Sequence, residues 1–478
     1  MNDRRTSIAL FIIALVPYLY FYGGWGANQE VNLALTRAMV ENGTVRLDGL
    51  AGQTINVSTG VSGHLYSNKP PGLSTMAAIP YSVQHALGRR GVDGFSGSSN
   101  GSKRLLTILL SGVSGALIAP VLYLYGRRRL GVTSTSAAVT AFAIAFGTLV
   151  FPYSTMFFAH VPCALLLLLA FVLLRERPVL AGVAAGIAGS TFLLAAIAAV
   201  AMGGLAVRYS ARHLVKFIAG GVPFAAALAL YQWMAFGSPF LTPAQQSGAF
   251  TEEHLVLGLF GAPHFFSRLR WLMHSEYRGL FYCSPALLLA IPGAFVALRR
   301  HKFVAELATI AVIAAIFFTS NASFNGWHGG AAFGPRYLLP IVPLLAIPMM
   351  FVGDRWRVLW VVLIAAGAAI NLAATAVDPM VMDGIQRPVT GYILPTLLHL
   401  PVSQETRDLF CPDSPGPDCT PGHVALWLGA GNAGERIFGR GSSASVIPAA
   451  LWIILTGIAL VIRARRQDQE SPGSSPKA

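Results

Sequence analysis

Runs of about twenty apolar residues recur along this 478-residue chain, parted by short breaks, several of which carry clustered arginine and lysine. At 1.5 Å per residue such a run matches the roughly 30 Å hydrocarbon core of a bilayer. In lipid a backbone must satisfy its own polar groups, which leaves helices or a closed barrel. The alternating pattern of barrel strands is absent, so the predicted fold class is all-α, a polytopic transmembrane helical bundle. Only 11% of residues are charged and 54% are hydrophobic, against roughly 25% charged in soluble domains, and the mean hydropathy is +0.59.

The net charge of +14 is spread along the chain rather than gathered in one tail or groove, which argues against nucleic acid as a partner. Basic clusters fall at Arg4-Arg5, Arg127-Arg128-Arg129, Arg175 with Arg177, 208–216, 299–302, Arg355 with Arg357, and 463–466. All seven fit one cytoplasmic side under the positive-inside rule. Threading the chain accordingly predicts about twelve spans, near 8–25, 104–125, 135–152, 161–174, 179–190, 191–207, 214–236, 279–298, 303–320, 337–353, 357–377 and 446–462. Both termini are then cytoplasmic, and the first span is expected to stay as an anchor, because Trp25-Gly26-Ala27-Asn28 is a poor cleavage site. Splitting 179–207 at Gly189-Ser190 keeps every later cluster on the basic side.

The chain divides into a transmembrane module 1–377 with a first external loop 26–103, an external segment 378–445, a last span 446–462 and a cytoplasmic tail 463–478. Within the first loop, 73–87 reads as an interfacial helix, followed by a Gly/Ser-rich link 94–102. Cys163 and Cys283 fall in or beside apolar spans and read as buried hydrophobes, whereas Cys411 and Cys419 bracket a polar stretch of the external segment, where an oxidising compartment favours a disulfide. Gly-rich stretches inside spans, 182–189 and Gly220-Gly221, read as close helix packing.

Soluble-enzyme signatures are missing. Gly97-Ser98-Ser99-Asn100-Gly101 has the spacing of a hydrolase elbow without its strand–turn–helix setting, and there is no Walker loop, dinucleotide fingerprint or H-E-x-x-H. No carboxylate cluster suggests a divalent metal, so no cofactor is expected. The chemistry falls to the first external loop. Asn28-Gln29-Glu30 opens a short amphipathic helix with Val31, Leu35, Ala38 and Met39 at helical spacing and Asn42-Gly43 as its stop, with Asn28 as candidate cap. Glu30 complements the helix dipole or acts as an acid–base group, and Asp48 reads as a solvated turn residue. Further on, Tyr66-Ser67-Asn68-Lys69-Pro70-Pro71-Gly72 holds a cation on a stiff turn.

The order of first span, short acid-bearing helix ending in Met39-Val40-Glu41-Asn42-Gly43, the Tyr66–Gly72 turn, an interfacial helix and a second span ending in a basic turn resembles the GT-C membrane glycosyltransferases. The branch most similar contains protein O-mannosyltransferases and lipid A aminoarabinose transferases. The stretches 151–160, with His160, and 326–337, with Trp327, His328 and Arg336, resemble further elements of bacterial members. The resemblance implies inverting transfer of a sugar from a polyprenyl-phosphate donor to an acceptor hydroxyl on protein, lipid or glycan. The active site is then expected on the extracytoplasmic face of a bacterial inner membrane.

The resemblance also implies roles. Its catalytic acid lies just after the first span, often in an Asp-Glu pair; here those positions fall on Asn28 and Gln29, with Glu30 one place later as the candidate base. Lys69 matches its phosphate-contacting lysine. Arg336 and Arg278 are the further candidates for the donor phosphate, and arginine at a span end also snorkels. Asn28, Gln29, Tyr66, His160, Trp327 and His328 are expected in the substrate pocket. The competing reading, a transporter or lipid-linked glycan flippase, predicts intramembrane charges along a pathway and internal repeats. The sequence has neither.

Overall fold

Helices account for nearly all regular structure in the computed structural model, which describes residues 2–50, 56–88, 101–241, 243, 264–301, 303–324, 326–353, 356–410 and 430–470. Among the described residues five helices are long and apolar enough to cross a membrane: Gly101–Leu130, Ala211–Phe236, Val304–Ser323, Arg357–Val377 and Ser443–Glu470. The protein is an integral membrane protein. The other predicted spans coincide with shorter apolar helices and with α1 (Asn2–Tyr20).

In chain order, α1 is followed by a two-residue strand β1 (Phe21–Tyr22), the helix α2 (Ala27–Glu41), a small antiparallel hairpin of β2 (Val57–Thr59) and β3 (Leu65–Ser67), and α3 (Gly72–Ala86). Then come α4 (Gly101–Leu130), α5 (Ser134–Phe146), α6 (Val150–Ser154), α7 (His160–Leu173), α8 (Pro178–Thr191), α9 (Leu193–Tyr209) and α10 (Ala211–Phe236). After α11 (Phe265–His274) the bundle closes with α12 (Pro285–Arg299), α13 (Val304–Ser323), α14 (Arg336–Met349), α15 (Arg357–Val377) and α16 (Ser443–Glu470). Strand β1 pairs with Gly431–Asn432, which ties the last external segment to the end of α1.

Local chemistry sets the boundaries. Thr133 and Ser210 begin α5 and α10 by accepting hydrogen bonds from the backbone N–H of Ser136 and His213 at 3.1 and 3.2 Å. Three predicted edges move. The first span ends at Tyr20, not residue 25; α5 stops at Phe146, leaving Val150–Ser154 as a separate turn; and the span predicted from 279 begins at 285 after a short turn Leu280–Cys283. The division of 179–207 is real but falls at Phe192, whose extended backbone separates α8 from α9. Glycines 182 and 220 bring α8 and α10 together, each facing the other helix's backbone. Cys163 and Cys283 are buried and unbridged; the Cys411–Cys419 pair lies outside the described residues.

The two ends of the bundle differ. At one, Asp3, Arg127, Tyr123, Ser134, Gln467 and Asp468 knit together α1, α4, α5 and α16. At the other lie α2, α3, the hairpin, the 155–160 turn, the Phe192 turn and the 326–337 loop. Helix α3 packs Leu73, Ala77 and Tyr81 inward and leaves Ile79, Val83 and Leu87 exposed along one line, the form of an interfacial helix.

Candidate active site

Lys69 follows β3 directly. Its backbone N–H donates to the Ser67 hydroxyl at 3.0 Å, and Pro70 and Pro71 stiffen the turn that starts α3. Gly72 lies so close to the α8–α9 turn that a β-carbon there would stand 2.5 Å from the Ser190 backbone. A larger residue would therefore push the lysine turn off the bundle. Burial, and then the charge of Arg336, push Lys69 down to about 7.

Arg336 opens α14 and is only 6% exposed. Its guanidinium lies 5.4 Å from the Phe158 ring and 5.1 Å from the Tyr337 ring, and Nη2 reaches the Tyr337 hydroxyl at 3.3 Å. Its Nε and Nη1 have no hydrogen-bond partner among the described residues. Room for it comes from Gly329, whose φ of +80° and bare α-carbon let the Trp327-His328-Gly329-Gly330 loop wrap the arginine stem.

His160 stands beside this pair, 7% exposed, with Tyr153, Phe158, Phe192 and Tyr337 around its ring at 5.4–6.1 Å. Neither ring nitrogen has a partner among the described residues. Lys69, Arg336 and His160 therefore form one cluster of donors with no carboxylate facing it among the described residues. The arrangement suits an anion.

A second group stands on the other face of the Phe157-Phe158 step. Trp25 stacks on Phe157 with centroids 5.2 Å apart, and Lys103 lies over Trp25 at 5.1 Å while its Nζ meets Glu30 Oε1 at 2.6 Å. Burial pushes the Glu30 carboxyl above the ordinary carboxylate range, against the pull of Lys103 and Arg37. Helix α2 is held over α3 by the Thr36 hydroxyl donating to the Ser74 carbonyl at 3.2 Å and by Glu41, which takes Arg37 at 3.1 Å and the Tyr81 hydroxyl. The helix begins two residues earlier than Asn28 as its cap suggests. Gly26 is its cap, with the Gln29 side chain accepting from the Gly26 N–H at 3.0 Å, and Asn28 sits in the first turn, linked through Asn56 to Asn68 beside Lys69.

The remaining candidates separate. Gln29 is buried and donates to Met380. Tyr66 points away from the lysine turn into a small cluster with Ala235 and Phe236, where it packs the hairpin on α10. Arg278 is fully buried, and its three nitrogens donate to the carbonyls of His328, Tyr277 and Gly330 at 2.6, 3.0 and 3.1 Å. It holds the 327–330 loop and has little left for a phosphate. Trp327 and His328 lie in an aromatic group with Trp271 and Tyr277. Asp48, read as a solvated turn residue, pins that turn to β3 by accepting from the Leu65 N–H and the His64 ring, both at 2.8 Å.

Sequence reading missed Lys103, Phe192 and Tyr337. Lys103 looked like an ordinary basic residue at the start of a span, and the two aromatics looked like membrane packing; only their convergence marks them. Among the described residues no three His, Cys, Asp or Glu side chains gather as a metal site.

Two solved structures match this chain, both of ArnT from Cupriavidus metallidurans. The one bound to undecaprenyl phosphate aligns with a TM-score of 0.50 at 15% identity, over 98% of this chain and 78% of that chain. The chain has the fold of ArnT. The apo structure aligns at 0.48 and 14%, over 96% and 75%. No family model and no curated protein matches. At this identity the likeness to ArnT concerns the fold, and the residues of the site stand on their own geometry.

Proposed function

We propose that this protein is a membrane glycosyltransferase that moves a sugar from a polyprenyl-phosphate donor to an acceptor hydroxyl, with inversion, on the side of the membrane opposite its basic turns. The observation that carries this reading is the pair Lys69 and Arg336: two sunken cations that raise each other's cost, with no acid supplied to either among the described residues. A donor phosphate is the counter-charge they lack, and His160 adds a third polar contact. The matched ArnT structure holds undecaprenyl phosphate, which supports a ligand of that class here.

The tail has a path. An apolar groove of about 450 Å³ runs between α9 and α13, lined by Ala196, Ile197, Val200, Ala201, Val312 and Ile316. It begins one turn below Phe192, whose ring faces His160 and Tyr337. In the reaction the acceptor oxygen attacks the anomeric carbon, the bond to the phosphate oxygen breaks with its electron pair, and polyprenyl phosphate leaves onto Lys69 and Arg336. Glu30 takes the hydroxyl proton. Donors aimed at the developing charge supply the largest share of such catalysis, and a positioned carboxylate supplies the base.

The test is incubation of the purified protein in nanodiscs with radiolabelled polyprenyl-phosphate sugar and membrane extract as acceptor source. Label is expected in a new product, and Lys69→Ala and Glu30→Gln variants that keep the fold are expected to lose it. Full transfer by both variants would overturn the site assignment, and a labelled donor carried across the bilayer unchanged would favour a flippase.

A further inference from the structure

The buried pair of Glu30 and Lys103 has a role that neither residue suggests alone. The side chains are 8% and 3% exposed, with Oε1 and Nζ 2.6 Å apart across 73 residues of chain. They belong to different supports. Glu30 lies on α2, and Lys103 lies in the first turn of the membrane-crossing α4, its ammonium resting against the face of Trp25, which Phe157 backs on the other side. As a stability device the pair is poor, because desolvating two charges consumes most of what their attraction returns. Its geometry is nonetheless sharply defined. Oε1 is fixed by Lys103, and no donor among the described residues hydrogen-bonds Oε2.

We propose that Lys103 is a positioning residue for the general base: it keeps Glu30 ionised in a buried setting and turns Oε2 toward the acceptor hydroxyl. This rests on the glycosyltransferase reading above. The other charged and titratable groups facing Glu30 are Arg37 on its own helix and Tyr22 on β1, with Arg104 acting on Tyr22. None of these is recorded as hydrogen-bonded to the carboxylate. Oε2 takes the acceptor's proton and later gives it to water. Without Lys103, burial of Glu30 is opposed by Arg37 alone, and the carboxyl is held further above the ordinary carboxylate range.

The experiment uses the full chain in nanodiscs, with Lys103→Met, Lys103→Gln as a second variant in case the first does not fold, and Lys103→Arg. Isotope-edited infrared spectra of 13C-glutamate protein, with Glu30→Gln as the blank, follow the Glu30 carboxyl through pH. The midpoint is expected to rise by more than about one pH unit in the neutral variants and to stay near wild type in Lys103→Arg. In transfer assays the neutral variants are expected to lose about 100-fold in kcat at pH 7, with the acid limb of the profile displaced upward and donor KM nearly unchanged. Lys103→Arg is expected to recover most of the rate.

An unchanged infrared midpoint overturns the proposal, as does a displaced midpoint with a pH–rate profile that does not follow it. The infrared arm needs no substrate. A wild type that transfers no sugar while its Glu30 midpoint depends on Lys103 overturns the glycosyltransferase reading and the base role together, and leaves the ion pair as a structural finding.

Discussion

Both ends of this bundle hold buried or half-buried cations, and they treat them oppositely. At the end that gathers the chain termini, the cations and polar groups have acids built for them. Asp3 accepts from Tyr123 and Arg127 at 2.8 and 3.2 Å, Asp468 accepts from the backbone of Ser134 and Thr135 at 2.7 and 3.0 Å, and Glu306 accepts from Tyr209 at 2.8 Å. At the other end Glu30 is taken by Lys103, Glu41 by Arg37 and Asp48 by His64, while the charge of Arg336 acts on Lys69 and neither of the two has an acid partner among the described residues. A buried charge without a partner is costly. Lys69 and Arg336 are two cations of this end without an acid partner among the described residues, and the function proposed above sets the donor phosphate between them.

That contrast can be broken most directly by removing the unpaired cations. Arg336→Ala and Lys69→Ala are each expected to reduce transfer by roughly 100- to 1,000-fold, the cost of losing one donor aimed at developing charge. Their melting temperatures without ligand are expected to hold or rise, because each substitution relieves the repulsion. A fall in both activity and melting temperature would show the cations to be structural.

Arg278 sharpens the comparison from the other direction, since it stands at the same end with its donors spent on carbonyls. Arg278→Ala is expected to cost on the order of 3 kcal/mol in stability by stranding those carbonyls, measured by chemical denaturation in detergent. Donor affinity in the folded fraction should be nearly unchanged. A selective loss of donor affinity would move Arg278 into the phosphate clamp.

The pH dependence follows from Lys69. A polyprenyl-phosphate hexose is a phosphodiester that does not titrate near neutrality, so its affinity reports the lysine. With Lys69 at about 7 in the free protein, affinity is expected to weaken by up to tenfold per pH unit above that value, and to lose this dependence in Lys69→Arg. The stability of the free protein moves the other way. A lysine whose folded pKa lies below the ordinary 10.5 binds fewer protons folded than unfolded between about 7 and 10.5, so its contribution to stability rises with pH across that window. Titration calorimetry and melting curves over pH 6 to 9 check both signs.

The smallest effect belongs to the satisfied end. Asp468→Asn weakens the cap on α5 and is expected to cost about 1 kcal/mol without changing transfer. A loss of transfer there would mean that the two ends are coupled.

Much of the frame was readable in the chain because its causes are local. Apolar runs, the basic turns, Asn42-Gly43 as a helix stop and the prolines after Lys69 act over a few residues, and the helices follow them apart from the three span edges that move. The break within 179–207 was legible from charge placement, while its location at Phe192 was decided by packing of α8 and α9 on α10 and by the aromatic ring that the turn delivers to His160. Tyr66 misled for a related reason. It lies in β3, which ends before the lysine turn, and its ring packs on Phe236 of α10 instead.

By itself, then, the sequence determined that this chain is a membrane-embedded helical bundle with one basic end, an acid-bearing helix and a lysine turn in the first loop, because hydrophobic length and turn chemistry depend on neighbours in the chain. Which charges are paired was decided only by the tertiary structure. Glu30 meets Lys103 across 73 residues, Arg278 is consumed by a loop 50 residues later, and Lys69 and Arg336 converge without an acid. Electrostatic energy depends on distance and burial in space, and no local pattern along the chain records either.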